Sequence, residues 1–184
     1  MENKLNDVIE DINLSQEKDN LENIRVAYTV EGGGKGLFAK RDFKEGEVVW
    51  HLFGDTVAYA TDYTIPVGKG IAVEPRLSGS VGQFMNHSCE PNIGPQNNGR
   101  DYVAMRPIQK GEELFTHYGF LGYEYGQEKE VDGSGNKVFD LTCHCGAATC
   151  KGMLGCFKDL TQEEKQKWKE YILQFLFETE NKKI

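Results

Sequence analysis

The sequence has no long apolar run, no basic amino terminus and no excess of positive charge. No stretch of its 184 residues approaches the ~20 apolar residues of a transmembrane helix, so we expect no membrane span. The first residues, MENKLNDVIEDI, lack the basic region and apolar run of a secretory signal. Lys and Arg total 21 against 29 Asp and Glu, a net charge of −8. Nucleic-acid binding rests on Lys and Arg meeting phosphates, so we expect none, and a neutral or basic partner is favoured.

The cysteines are few and unevenly distributed. Cys89 stands alone, and the other four lie close together at Cys143, Cys145, Cys150 and Cys156. Without a secretory signal we expect a reducing compartment, where clustered cysteines indicate a metal site rather than disulfides. The segment CHCGAATCKG carries three thiols in a glycine-bearing loop, which is typical of tetrahedral zinc coordination. A structural zinc site needs a fourth ligand, and the spacing alone leaves Cys156, His144 and a distant residue such as Cys89 open.

The middle of the chain, from Ile24 to about Phe120, reads as short strands separated by glycine turns. Val, Ile, Tyr, Phe and Trp dominate the runs IRVAYTV, EVVWHLF, GIAVEP and DYVAMRP, and Gly or Pro ends most such runs. Strands do not alternate with helices, which argues against a doubly wound parallel sheet. The length and this pattern predict one mostly β domain.

The flanking segments are more polar. Residues 1–23 are acidic, and helical spacing of a few apolar residues predicts either a short helix or a frayed end there: Leu5, Val8, Ile9 and Ile12. Residues 126–138 are polar and glycine-bearing, which predicts an exposed loop.

Residues 160–178 predict an amphipathic α-helix. Thr161 is followed three residues later by Glu164, the pattern of a capping box. An apolar stripe then recurs at helical spacing: Trp168, Tyr171, Ile172, Phe175 and Leu176. The stripe is interpreted as packing on the core, with a partner-binding helix as the alternative.

Two further segments are weak signals when taken alone. In QFMNHSCEPN, a cysteine hydrolase would use Cys89 as nucleophile and His87 as base, but neighbours at i and i+2 seldom form such a dyad. A polar turn ending at Pro91 is the simpler interpretation. The turn EGGGKGLFA lacks the Lys-Ser or Lys-Thr pair of a Walker motif and the following helix of a Rossmann motif.

Four segments occur in one order along the chain: GKGLFA, NHSCEPN, GEELFTHYGF and CHCGAATCKG. Together they resemble the SET-domain protein lysine methyltransferases that carry a zinc-binding post-SET tail. The resemblance covers about residues 24–155. It implies a SET domain over 24–125, a fold of small curled sheets (a β-clip) with a pseudoknot, and a post-SET zinc segment over 139–155.

The same resemblance implies S-adenosylmethionine as methyl donor, zinc as metal and a role for individual residues. Tyr118 matches the catalytic tyrosine. The implied zinc ligands, which do not include Cys156, are Cys89, Cys143, Cys145 and Cys150. The implied donor-contacting residues are Lys35, Gly36, Leu37, Tyr63, Asn86, His87, His144 and Leu154. The predicted walls of the substrate channel are Phe84, Phe115, Thr116, Phe120 and Tyr123.

The family's usual substrate is a histone tail, which suits the acidic chain and implies a nuclear location, with the cytoplasm as the alternative. Thr116 stands where the family usually has an aromatic residue that limits methylation, so the number of methyl groups stays open. Three alternatives are a methyltransferase of another basic protein, a silent SET-like module that binds donor or peptide, and a zinc-stapled interaction module that uses the C-terminal helix.

Overall fold

The structure is a computed structural model that describes residues 13–29, 34–59, 61, 63–123 and 142–182. The described chain contains these strands: β1 (Ile24–Tyr28), β2 (Lys35–Ala39), β3 (Val48–His51), β4 (Thr56–Val57), β5 (Ile65–Gly68), β6 (Ile71–Val73), β7 (Asn86–His87), β8 (Ile93–Gln96), β9 (Asp101–Ala104) and β10 (Glu113–Thr116). Its α-helices are α1 (Leu14–Asn23), α2 (Pro75–Ser78), α3 (Gln162–Lys167) and α4 (Gln174–Lys182). Short 3₁₀ turns occur at Val81–Phe84, Tyr118–Phe120 and Phe157–Asp159.

The strands form three small sheets, ordered β1-β2-β10-β7, β3-β9-β8 and β4-β6-β5. Their inward faces carry the apolar residues of one core, as the β-rich runs in the sequence predict. Trp50 of β3 stacks on Tyr102 of β9 with ring centroids 4.3 Å apart, and both side chains are buried. The predicted mostly β fold of small sheets is confirmed.

One pairing joins segments that are distant in the chain. β7 runs parallel to β10, with Asn86 opposite Phe115 and His87 opposite Thr116. The main-chain N–H of Ser88 extends this pairing by donating to the Thr116 carbonyl at 3.0 Å. The segment that contains NHSC therefore lies directly beside the segment that leads into Tyr118.

The apolar spacing at residues 5–12 falls outside the described residues, and the first helix of the described chain is α1. α1 begins after Asn13, whose side chain accepts a hydrogen bond from the Gln16 main-chain N–H. Its buried positions are polar, Glu17 and Asn20. A polar buried face gives no apolar periodicity, so the pattern did not locate this helix.

The prediction of one continuous helix over 160–178 is wrong. The capping box of Thr161 and Glu164 is present and starts α3, but the helix ends before Trp168 and α4 begins only at Gln174. The break coincides with a tertiary contact, because the Leu173 main-chain N–H, directly before α4, donates to the Phe120 carbonyl at 3.1 Å.

The predicted loop over 126–138 lies outside the described residues, as does the start of the predicted post-SET segment. Among the described helices, none combines the length and the apolar character that crossing a bilayer requires.

Candidate functional site

Four cysteine thiols converge although one comes from the middle of the chain. Cys89 follows β7, and its Sγ lies 4.0 Å from the Sγ of Cys143. The full cluster, whose sulfur atoms all lie within 4.8 Å of one another, is Cys89, Cys143, Cys145 and Cys150. Zinc–sulfur bonds of ~2.3 Å in a tetrahedron place sulfurs about 3.8 Å apart, so the four thiols fit a structural zinc ion.

The two other candidates for the fourth position lie elsewhere. Cys156 is buried away from the cluster, and its Sγ lies 2.8 Å from Asp159 Oδ2. His144 is exposed. The structure thus brings together the four cysteines that the family resemblance implies, which spacing alone did not select.

Main-chain N–H groups point at the sulfur atoms of the cluster. Cys89 N–H donates to Cys145 Sγ at 3.4 Å, and Gly152 N–H donates to Cys150 Sγ at 3.5 Å. Burial disfavours ionisation of Cys145, but hydrogen bonds, first that from Cys89, outweigh it and lower its pKa to about 7. Such bonds favour the thiolate form that a metal requires.

The His87 ring is turned inward, between the cluster and Tyr118. Its Nδ1 accepts a hydrogen bond from the Tyr118 main-chain N–H at 3.2 Å, and its Nε2 lies 3.5 Å from Cys89 Sγ. Burial, and then the adjacent His117, lowers the pKa of His87 to about 3, so the ring is neutral. Both ring nitrogens therefore already have neighbours inside the protein.

Tyr118 begins the 3₁₀ turn that follows β10. Its hydroxyl donates to the Met85 carbonyl at 3.0 Å, directly before β7. Burial, and in second place the phenol of Tyr63, raises the pKa of Tyr118 to about 12. The hydroxyl therefore stays protonated at neutral pH, and with its proton committed to Met85 its oxygen remains an acceptor.

Asn86 lies at the meeting point of three strands. Its Nδ2 donates to the Lys35 carbonyl of β2 at 3.1 Å and to Glu113 Oε1 of β10 at 2.9 Å. Burial raises the pKa of Glu113, against the effect of the hydrogen bond from Asn86. The sequence analysis did not single out Glu113, since an acidic residue in GEEL gives no signal that distinguishes it from a surface charge.

The remaining predicted donor residues differ in exposure. Lys35 Nζ lies 5.4 Å from the centroid of the Phe84 ring, and Tyr63 is 46% exposed. Leu37 is fully buried in β2, so its side chain faces the core rather than a ligand. Leu154 is half-buried.

The predicted channel residues fall into two groups. Thr116 and Phe120 are fully buried, and Phe120 packs against Trp168 with centroids 5.4 Å apart. Phe84 and Tyr123 are half-buried. Phe115 lines an open cleft of about 280 Å³ beside Cys145, on the side of the cysteine cluster. These five side chains thus differ in burial, and their grouping around one substrate channel stays a prediction.

Trp168 is an additional neighbour of the site. Its ring lies 5.5 Å from that of His117, whose Nδ1 accepts from the Gly119 main-chain N–H at 3.0 Å. The sequence places Trp168 only in an apolar stripe, which gives no sign that it packs against the turn of Tyr118.

Comparisons with known proteins agree with this geometry. The family model described as SET domain matches residues 34–119. The chain is 32% identical over 141 residues to histone-lysine N-methyltransferase 2B of Homo sapiens, across 66% of this chain and 5% of that protein. It is 30% identical over 149 residues to the H3 lysine-36 specific enzyme of Yarrowia lipolytica, across 69% of this chain and 18% of that protein.

A solved structure is also similar: KRYPTONITE in complex with mCHH DNA, H3(1-15) peptide and SAH. The two structures superpose with a TM-score of 0.56 at 25% identity, over 72% of this chain and 29% of that chain. The chain belongs to the SET-domain family. It spans less than a fifth of the length of the two curated relatives named above.

Proposed function

We propose that this protein is an S-adenosylmethionine-dependent protein lysine N-methyltransferase that acts on a histone tail. The observation that carries the proposal is the parallel pairing of β7 with β10. This pairing brings Asn86 of β7 close to the turn that follows β10 and begins at Tyr118, whose hydroxyl bonds the Met85 carbonyl. Cys89, which follows β7, belongs to the four-cysteine cluster.

The methyl donor supplies a methyl group carried on a positively charged sulfur. On the protein side, Asn86 offers its amide oxygen as a hydrogen-bond acceptor for the donor, because its amide nitrogen is already bonded to the Lys35 carbonyl and to Glu113. SAH is bound in the similar structure named above, which supports this choice of donor.

The acceptor must be a neutral amine, whereas free lysine has a pKa of ~10.4. Removal of the amine from water lowers its pKa, and a nearby positive charge lowers it further. The Tyr118 oxygen can accept an N–H of that amine and so direct its lone pair. Because a phenol with a pKa of about 12 keeps its own proton at neutral pH, it is not available as a base, so we assign Tyr118 to orientation and the acceleration to positioning in a water-poor site.

Zinc has a structural role in this proposal. The cluster of Cys89, Cys143, Cys145 and Cys150 would hold the ion with no position left for a substrate. Metal binding then links β7 to the C-terminal segment, and its free energy contributes to folding of that segment.

The choice of a histone rests on charge and on relatives. The net charge of −8 suits a lysine-rich peptide, and the curated relatives are named as histone-lysine methyltransferases. A histone substrate implies a location in the nucleus.

The test is incubation of the chain with isotopically labelled donor and each purified histone, followed by mass spectrometry of the modified lysines. Label on lysine, absent with Tyr118→Phe, supports the proposal. Donor binding without transfer would indicate a silent module, and neither binding nor transfer would indicate an interaction module.

A further inference from the structure

Glu113 is a half-buried carboxylate without a cationic partner among the described residues. It lies on β10, and its Oε1 accepts from Asn86 Nδ2 at 2.9 Å. By contrast, the neighbouring Glu112 forms an ion pair with Arg106 at 2.8 Å and also accepts from the Gln109 main-chain N–H. Of these two adjacent acidic residues, only Glu113 contacts the residues proposed to bind the donor.

The contacts of Asn86 determine which way its amide points. An amide nitrogen has two hydrogens, and those of Asn86 are directed at the Lys35 carbonyl and the Glu113 carboxylate. A reversed amide would place its oxygen against two acceptors, which is electrostatically unfavourable. The Asn86 Oδ1 is thereby left as an acceptor without a partner in the part of the chain that the structure describes.

Gly36 provides independent support for this arrangement. A Cβ at Gly36 would lie 2.3 Å from Glu113 Oε1 and 3.1 Å from Asn86 Nδ2, so a larger residue would displace the carboxylate. Glycine permits the close approach of a neighbouring group to the backbone. The residue before it, Lys35, supplies the second acceptor, so β2 both makes room for the carboxylate and helps to fix the amide.

We propose that Glu113 is a positioning residue for donor binding: it holds the Asn86 amide with its nitrogen toward the protein and its oxygen toward an N–H group of the methyl donor. The inference rests on the proposed function and names a residue that acts through Asn86 rather than by touching the reacting atoms. Gln at position 113 would retain an oxygen acceptor, whereas Ala would remove it.

The experiment measures dissociation constants for S-adenosylhomocysteine by calorimetry, so it does not depend on turnover. We expect Glu113→Ala to weaken binding by about tenfold, the effect of one hydrogen bond, and Glu113→Gln to restore it to within about threefold of wild type. The matched control, Glu112→Ala at the residue directly before β10, should leave the constant unchanged. Thermal unfolding and the side-chain amide resonances of Asn86 report whether each variant is folded and whether that amide is held.

A double-mutant cycle tests whether the effect passes through Asn86. In an Asn86→Ala background, Glu113→Ala should cause no further loss, because the group that it positions is gone. A full additional loss there would overturn the inference, as would equal losses for Glu113→Gln and Glu113→Ala, which would assign the effect to charge. Failure of the wild-type chain to bind the ligand would overturn the proposed function together with this inference. Binding that Glu113→Ala leaves unchanged would overturn this inference alone.

Discussion

The two helical ends of the described chain are attached to the sheets by opposite kinds of contact. At the N-terminal end, the buried Glu17 of α1 accepts from the Ser80 hydroxyl at 2.6 Å and from the Val81 main-chain N–H at 3.2 Å. One turn later, Asn20 bonds both the carbonyl and the N–H of His51, at the end of β3. Buried polar groups that are paired in this way specify position strongly.

The C-terminal end is attached mainly by aromatic and aliphatic side chains. Trp168 packs on His117 and Phe120, and Phe157 meets Phe177 with centroids 5.1 Å apart. Burial of such rings contributes more free energy than a typical hydrogen bond. The N-terminal end is therefore held by a few directional hydrogen bonds. The C-terminal end, which lies beside the cysteine cluster, is held by buried apolar area.

Metal removal should have the largest effect, and it should separate the two ends. Structural zinc contributes roughly 10–16 kcal/mol in zinc-finger peptides, so loss of the ion should release residues 142–156 and weaken protection around Trp168. α1, whose buried side chains bond Ser80, Val81 and His51, should keep its protection. Amide hydrogen exchange with and without chelator, at verified zinc content, measures this. If the chelator increased amide exchange equally in α1 and in residues 142–156, the contrast between the two ends would be contradicted.

Removal of one aromatic side chain should have the next largest effect. Trp168→Ala removes contacts to Phe120 and His117, and deletion of a buried Trp costs about 3–5 kcal/mol of unfolding free energy. The exposed neighbour provides the control, since Lys169→Ala should change stability by less than about 0.5 kcal/mol. Urea denaturation gives both values, and similar values for the two variants would argue that α3 and α4 are not held by Trp168.

A smaller loss is expected at the polar end. Glu17→Ala leaves the Ser80 hydroxyl and the Val81 N–H buried without their acceptor, which costs about 1–3 kcal/mol. Glu22→Ala, at an exposed position of the same helix, should be neutral to within about 0.5 kcal/mol. If denaturation shows a greater loss for Glu17→Ala than for Trp168→Ala, the ranking of the two ends is reversed.

The smallest effect concerns the turn of Tyr118, against which the C-terminal end packs. Tyr118→Phe removes the hydrogen bond to the Met85 carbonyl, which is worth about 0.5–1.5 kcal/mol at neutral pH. Burial raises the pKa of Tyr118 to about 12, above the ordinary ~10, so its stabilising contribution is complete below pH ~10 and falls as the pH rises toward 12. The stability difference between wild type and variant should therefore narrow over that interval.

Denaturation at a series of alkaline pH values measures this narrowing. Tyr59→Phe, at a phenol that is 52% exposed, is the control and should be as stable as wild type at neutral pH. A constant gap between wild type and Tyr118→Phe up to pH 12 would show that the Tyr118 phenol is not the titrating group.

The sequence predicted those features that rest on local patterns. The β-rich runs, the capping box of Thr161 and Glu164, and the mostly β class follow from residue types and their spacing. The convergence of Cys89 with the later cysteines followed from the family resemblance, because spacing left the fourth position open. The apolar spacing gave no sign of α1, because the buried face of this helix consists of Glu17 and Asn20, which resemble a solvated surface.

The features that were missed depend on contacts between distant segments. The break between α3 and α4 is accompanied by the bond between the Leu173 N–H and the Phe120 carbonyl, which an apolar stripe in the sequence does not indicate. The part played by Glu113 depends on the closeness of Gly36 and Asn86, which only the three-strand arrangement brings about. Local spacing cannot report either relation.

The parallel pairing of β7 with β10 also constrains the order of events during synthesis. Asn86 has no strand partner until Phe115 has emerged from the ribosome. The cluster that contains Cys89 is complete only after Cys150 has been synthesised. Non-local contacts of this kind slow folding, because a long loop must close before the contacts form. The β7–β10 pairing and the cysteine cluster are therefore among the last parts of the nascent chain to form. A translation product that stops before Cys150 would be released without a complete cysteine cluster.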